Sequence, residues 1–169
     1  VNSLLHLIAP GKDKSVLVFV PGGEYTAGAD RHTGRTELSH EAPEHKVKLS
    51  GFLIPPLTGQ YVFYLSSDDQ GALFLSPDDT SANKRLIAFE LQWNYPRNWV
   101  GTDRRNPANP ENRSVPVSLE AGRRYYVEAL KKQATYGDSF GVTWQLPGAP
   151  PPANYDPPIQ GAYLATYAS

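Results

Sequence analysis

Apolar and aromatic residues along this chain fall into short runs, separated by polar stretches rich in Pro and Gly. Nine such runs predict β-strands: Val16–Val20, His45–Ile54, Gln60–Ser66, Ala72–Leu75, Arg85–Phe89, Ser114–Leu119, Arg124–Lys131, Phe140–Gln145 and Gly161–Leu164. Helical spacing at i, i+3 and i+4 is sustained nowhere, and Pro interrupts most windows long enough to hold a helix. Tyr61 to Leu65 and Tyr125-Tyr126-Val127 are apolar on successive residues. That texture predicts strands covered on both faces, by a second sheet and by loops. The expected fold is all-β, a two-sheet antiparallel β-sandwich with long loops.

Three regions stand outside the strand pattern. Gly22–Ala42 is polar and reads as a long loop or extended arm. Asn94–Arg113 reads as a long insertion carrying Pro96, Pro107 and Pro110. Pro147–Pro158 reads as an extended, polyproline-like path draped over the sandwich. The expected organisation is a single domain over 1–169. Residues 1–45 supply an N-terminal strand and an arm packed on the sandwich, and 46–169 form its core.

Composition narrows the function classes. With 16 Lys+Arg against 17 Asp+Glu the net charge is −1, so no strong field favours nucleic acid or an anionic membrane. No apolar stretch approaches a membrane span, so membrane insertion is not expected. The chain has no Cys, which excludes a disulfide framework and a thiol nucleophile. It has no Met either, so it is expected to begin after processing or to be a segment of a longer polypeptide.

The most informative chemistry lies in Gly59–Ser76, where two strand-like runs flank the adjacent carboxylates Asp68 and Asp69. Two carboxylates held close are what a hard divalent cation such as Ca2+ asks of its oxygen ligands. A solvated turn explains the same residues, since Asp favours turns for local reasons. Asp78-Asp79, after Pro77, reads as turn chemistry. Trp93, Tyr95 and Trp99 lie close together among hydrogen-bond formers, either as a ligand wall or as anchors of a long loop. Trp144 is expected in the core. Glu128, in an apolar strand, reads as a buried carboxylate paired with an Arg. His6, His32, His40 and His45 form no zinc pattern. No Gly-rich phosphate cradle, Ser-His-Asp constellation or organised acid–base pair is present, so the expectation is a non-catalytic binding module.

An ordered series of segments resembles the protective-antigen (PA-fourteen) domain family. Gly51-Phe52-Leu53-Ile54-Pro55-Pro56, then Thr58-Gly59-Gln60-Tyr61-Val62-Phe63-Tyr64, is similar to the opening strands of that family. Ser81–Ala88, Glu120–Leu130, Gly137–Gln145 and Ile159–Leu164 resemble successive later strands, so the likeness runs from Lys46 to Leu164. Trp99 resembles a recurrent Trp of the family. The first forty residues match it poorly, and their faint likeness to formylglycine-generating enzymes carries no activity without cysteines.

The resemblance implies a calcium-dependent carbohydrate-binding β-sandwich in which Asp68 and Asp69 are joined by a cis peptide. It also implies that a second loop, Gln133–Ser139, adds Asp138 as a third metal ligand. The fungal adhesins of the family carry an Asn on that loop, so Asp138 adds a charge and leaves sugar preference open. On the same reading Tyr136, Gly137 and Gln70 lie beside the ligand, with Trp93 and Tyr95 as further contacts. The implied whole is a module of a larger secreted or cell-surface protein, a glycan-active enzyme or an adhesin. It would partner an oligosaccharide or polysaccharide and other domains of the same polypeptide. Its rivals are a structural or protein-interaction domain using Ca2+ as a staple, and a catalytic domain with an unrecognised carboxylate pair.

Overall fold

The computed structural model describes residues 24–26, 45–133 and 139–166. Among these residues nine strands follow in order: β1 Glu24–Thr26, β2 His45–Leu53, β3 Gly59–Asp68, β4 Gln70–Leu75, β5 Arg85–Glu90, β6 Val117–Leu119, β7 Tyr125–Gln133, β8 Ser139–Gln145 and β9 Leu164–Ala165. They form a four-stranded sheet, β1-β8-β3-β6, and a five-stranded sheet, β5-β4-β7-β2-β9, with antiparallel neighbours throughout. The fold is the expected two-sheet β-sandwich. Among the described residues no helix is long and apolar enough to cross a membrane.

The core lies between the sheets and follows the period-2 alternation of their strands. Tyr61, Phe63 and Leu65 of β3 face Leu73 and Leu75 of β4 and Tyr125, Val127 and Ala129 of β7 in one apolar cluster. Phe140 and Val142 of β8 complete it from the same sheet as β3. Trp144 packs against this cluster from its rim, stacked obliquely on Tyr61 and Tyr163 at centroid distances of 5.1 and 5.5 Å. The opposite face of β3 is also covered, as its apolar run implies. Tyr64 and Ser66 are buried beneath the connection between β5 and β6. That connection is anchored by Trp99, fully buried, whose indole N–H donates to the Asp156 carbonyl at 2.9 Å.

Several sequence expectations shift. The Val16–Val20 strand lies outside the described residues. Gly22–Ala42 is not wholly a loop: β1 falls inside it, paired on the edge of β8 through Tyr25↔Phe140. Three residues are too few to show a period-2 pattern. The Ser114–Leu119 run contracts to β6, because Pro116 has no N–H for a ladder, and Ser114 instead bonds the main chain of Phe63. Gly161–Tyr163 is a 3₁₀ turn, and only Leu164–Ala165 joins the sheet, against Phe52 and Leu53. Glu128 is buried as expected, but its partners are Lys84, Lys48 and Tyr126, with no Arg among them.

Candidate functional site

The candidate site forms where the chain twice crosses between the sheets at one end of the sandwich. β3 belongs to the four-stranded sheet and β4 to the five-stranded one, so the chain changes sheets at Asp68-Asp69-Gln70. β7 and β8 make the reverse change through residues 134–138. The registers tie the two crossings together. Asp68 pairs with Ser139 in one sheet, and Gln70 pairs with Lys132 in the other. Asp138, Tyr136 and Gly137 lie outside the described residues. Ser139, which follows Asp138 in the chain, is the residue opposite Asp68.

Asp68 ends β3 and Asp69 alone links it to β4, so both carboxylates project from one tight crossing. The Asp68–Asp69 peptide is cis, as the family resemblance implies. Burial and then the neighbouring charge of Asp69 push the Asp68 carboxyl above its usual range, while Lys131 and Arg104 pull it back. Behind the pair sit two buried hydroxyls, Ser67 Oγ and Ser139 Oγ, with no hydrogen-bond partner among the described residues. Gly71 allows β4 to pass close to Ser67: a Cβ at position 71 would lie 2.8 Å from both Cβ and Oγ of Ser67. The close approach of the two strand ends therefore depends on the absence of a side chain at 71.

The donor set fits a hard divalent cation. Two adjacent half-buried carboxylates, one already resisting ionisation beside the other, gain from a cation that neutralises both. Among the described residues no group of three His, Cys, Asp or Glu gathers to hold a metal. Asp78, by contrast, is engaged locally. It accepts from the N–H and hydroxyl of Thr80, from Asn83 and from Ser76, which hold its carboxyl far below the usual range. The Asp78-Asp79 segment is the turn the sequence predicts.

The wall beside the carboxylates comes from the connection after β5. Asn94 N–H donates to the Ser67 carbonyl at 2.8 Å, and the Ser66 hydroxyl donates to the Tyr95 carbonyl at 2.8 Å. These bonds place Trp93 and Tyr95 next to the end of β3. Both rings are open to solvent, 40% and 53% exposed, and meet edge to face at 5.5 Å. Gln70 extends its amide to the Leu91 carbonyl at 3.1 Å, tying the start of this wall to β4.

Sequence reasoning missed the residues that hold this wall. Arg105 is fully buried against Glu90, reaching both carboxylate oxygens, and also donates to the Gly101 carbonyl. Burial pushes the Glu90 carboxyl up, and Arg105 and Asn94 counter that push. Arg104 lies flat over Trp93, its Cζ 3.5 Å from the ring centroid, with Tyr95 at 5.7 Å. The available signal was the adjacent doublet Arg104-Arg105 within the insertion.

No protein-family model matches the chain. Several mouse (Mus musculus) proteins match part of it. N-acetyl-β-glucosaminyl-glycoprotein 4-β-N-acetylgalactosaminyltransferase 1 is 33% identical over 118 residues, 66% of this chain and 11% of that protein. Fibrocystin-L is 31% identical over 88 residues, 52% of this chain and 2% of that protein. The chain thus spans a small fraction of the curated relatives it matches. Among solved structures, the epithelial adhesin 6 A domain of Candida glabrata, in complex with Galβ1-3GlcNAc, superposes with a TM-score of 0.51 at 16% identity. That match covers 73% of this chain and 51% of the adhesin chain. The described chain shares the β-sandwich fold of this adhesin domain.

Proposed function

We propose that the chain is a carbohydrate-binding module of the protective-antigen domain type, and that its site lies on Asp68 and Asp69. The observation that carries this reading is the pairing of Asp68 with Ser139 and of Gln70 with Lys132, which brings the ends of β3, β4, β7 and β8 together at that pair, beside an exposed aromatic wall. Asp68, Asp69 and Asp138 would hold Ca2+ there. The ion would supply a Lewis-acidic centre for paired sugar hydroxyls. The chain's own residues position that encounter. The ends of β3 and β8 fix the carboxylates, and Trp93, Tyr95 and Gln70 border the ligand from the β4–β5 side. Tyr136 and Gly137 would border it from the β7–β8 side. The likeness to an adhesin domain solved with a disaccharide supports this reading. So does the relative whose name places it on glycoproteins.

On this reading the module is non-catalytic and belongs to a larger secreted or cell-surface protein. Residues 1–45 would pack on the sandwich core as part of the same domain. Tethered to further domains, weak single-site binding gains through effective concentration.

A second reading makes the pair structural, and one observation favours it. Lys131 is buried on the inner face of β7 and close enough to counter the rise of the Asp68 carboxyl. A purely structural pair needs no ligand. A glycan array, probed in calcium and again after chelation, separates the two. Calcium-dependent, chelator-reversible binding to a defined glycan set supports the module. Thermal stabilisation by calcium with no glycan bound supports a structural pair with calcium as a staple, and neither stabilisation nor glycan binding supports a metal-free pair countered by Lys131.

A further inference from the structure

Arg104 and Arg105 are adjacent and differ in what they do. Arg105 has its guanidinium buried on Glu90, where it holds the loop. Arg104 has the face of its guanidinium on Trp93 and keeps 23% of its side chain exposed. Its one ion pair among the described residues is a loose contact with Asp103 Oδ2 at 3.9 Å, on a carboxylate that is itself 75% exposed. Stacking occupies the face of a guanidinium and leaves its edge N–H groups as donors. Arg104 also holds a left-handed backbone conformation, φ 60°, which L-residues seldom adopt.

The position of Arg104 relative to the carboxylate pair is set by one residue. Asn94 is buried, and its main-chain N–H holds the Ser67 carbonyl, one residue before Asp68. Its side-chain amide donates to the Asp103 carbonyl at 2.9 Å, one residue before Arg104. Asn98 fixes that amide by donating to Asn94 Oδ1 at 2.7 Å. The two sides of Asn94 therefore hold the aspartate pair and the stacked arginine on the same rim. Arg104 is near enough to act electrostatically on Asp68.

We infer that Arg104, presented on Trp93, is a specificity-determining residue that selects saccharides bearing an anionic group, a carboxylate or a sulfate, next to the sugar held at Asp68–Asp69. The inference rests on the proposed sugar site and names its ligand class. A planar fork donates two parallel N–H bonds to either anion, and the Trp93 face keeps the fork flat and partly desolvated. Asp103 opposes an anion weakly, since its carboxylate stands in water.

The test uses matched glycans on an array: neutral oligosaccharides beside their sulfated and their sialic- or uronic-acid-bearing forms. The best pair is then titrated by calorimetry, in calcium and in chelator, against wild type, Arg104→Gln and Arg104→Lys. The expected result is acidic forms bound about tenfold or more tighter by wild type, the scale of one charge-assisted hydrogen-bond pair. Arg104→Gln should bind acidic and neutral forms alike at the neutral level. Arg104→Lys should keep part of the preference, and added salt should shrink it. Preference for sulfate over carboxylate, or the reverse, identifies the anion.

Equal binding of neutral and acidic forms by wild type overturns the inference and leaves the calcium-dependent site standing. So does a preference that survives Arg104→Gln. Equal loss of both forms in Arg104→Gln overturns it too, by reducing Arg104 to a loop anchor. An Arg104-dependent preference that ignores chelation upholds the inference and removes the calcium reading. Binding to no glycan removes both.

Discussion

Asn94 donates its main-chain N–H to the carbonyl of Ser67 at 2.8 Å and so fixes the exposed Trp93–Tyr95 wall against the end of β3. The bond is short-range in space and long-range in sequence. It makes one rim out of two parts of the chain that share no strand pairing. The carboxylates come from a crossing between sheets, and the aromatic wall from a loop that depends on buried polar contacts for its shape.

Asn94→Ala tests that dependence. It keeps the main-chain bond to Ser67, removes the bond to Asp103, and leaves the Asn98 amide without its acceptor. The expected cost is about 1–3 kcal/mol of stability, the penalty of buried polar groups left unpaired. Glycan affinity should fall further than calcium affinity, because the wall moves and the carboxylates do not. Denaturant unfolding and paired calorimetric titrations read the two effects.

Gly71→Ala tests the close approach behind the carboxylates. The added methyl meets Ser67 Cβ and Oγ at 2.8 Å and Leu65 Cδ2 at 3.3 Å, in a region with no free space. Overpacking of this kind costs about 1–3 kcal/mol. The expected variant is folded, less stable, and weakened in calcium binding as the strand ends separate. Ala72→Gly, on the outward face of β4, should leave calcium binding unchanged.

Glu128 gives the fold an acid-labile component far from the site. Burial alone would raise its carboxyl, but hydrogen bonds from Lys84, Tyr126 and Lys48 outweigh burial and hold it below the usual range. A carboxyl lowered in the fold contributes stability that is present above its unfolded value and lost as pH falls through the folded one. Glu128→Gln should therefore lower stability at pH 7, by about 1–3 kcal/mol. It should also flatten the loss on acidification below the ordinary glutamate range. Melting curves of both proteins between neutral and acid pH check the sign. A parallel acid loss in the two would assign it to other groups.

How far the sequence reached depended on the physical signal available at each place. The sandwich was legible because Tyr61 to Leu65, Leu73 to Leu75 and Tyr125 to Ala129 carry a dense apolar pattern that few other folds bury. β1 was not, because three residues on a sheet edge are defined by main-chain pairing with Phe140 and need no pattern of their own. The turn at Asp78 was legible because its interactions are local, to Ser76, Thr80 and Asn83. The partners of Glu128 were not, because Lys48 reaches it from the neighbouring strand and Lys84 from the turn before β5. The carboxylate pair stood out as adjacent charges between two apolar strands. The Arg105–Glu90 pair and the stacking of Arg104 on Trp93 depend on a loop whose path no periodicity encodes.

The most direct measurement is calorimetric titration of calcium into chelator-stripped wild type, Asp69→Ala and Asp79→Ala. Wild type and Asp79→Ala should bind calcium alike and gain thermal stability from it, since a ligand of the folded state stabilises by mass action. Asp69→Ala should show neither heat of binding nor stabilisation. Calcium binding that survives in Asp69→Ala, or that disappears equally in Asp79→Ala, would contradict a site built on the crossing at Asp68 and Asp69.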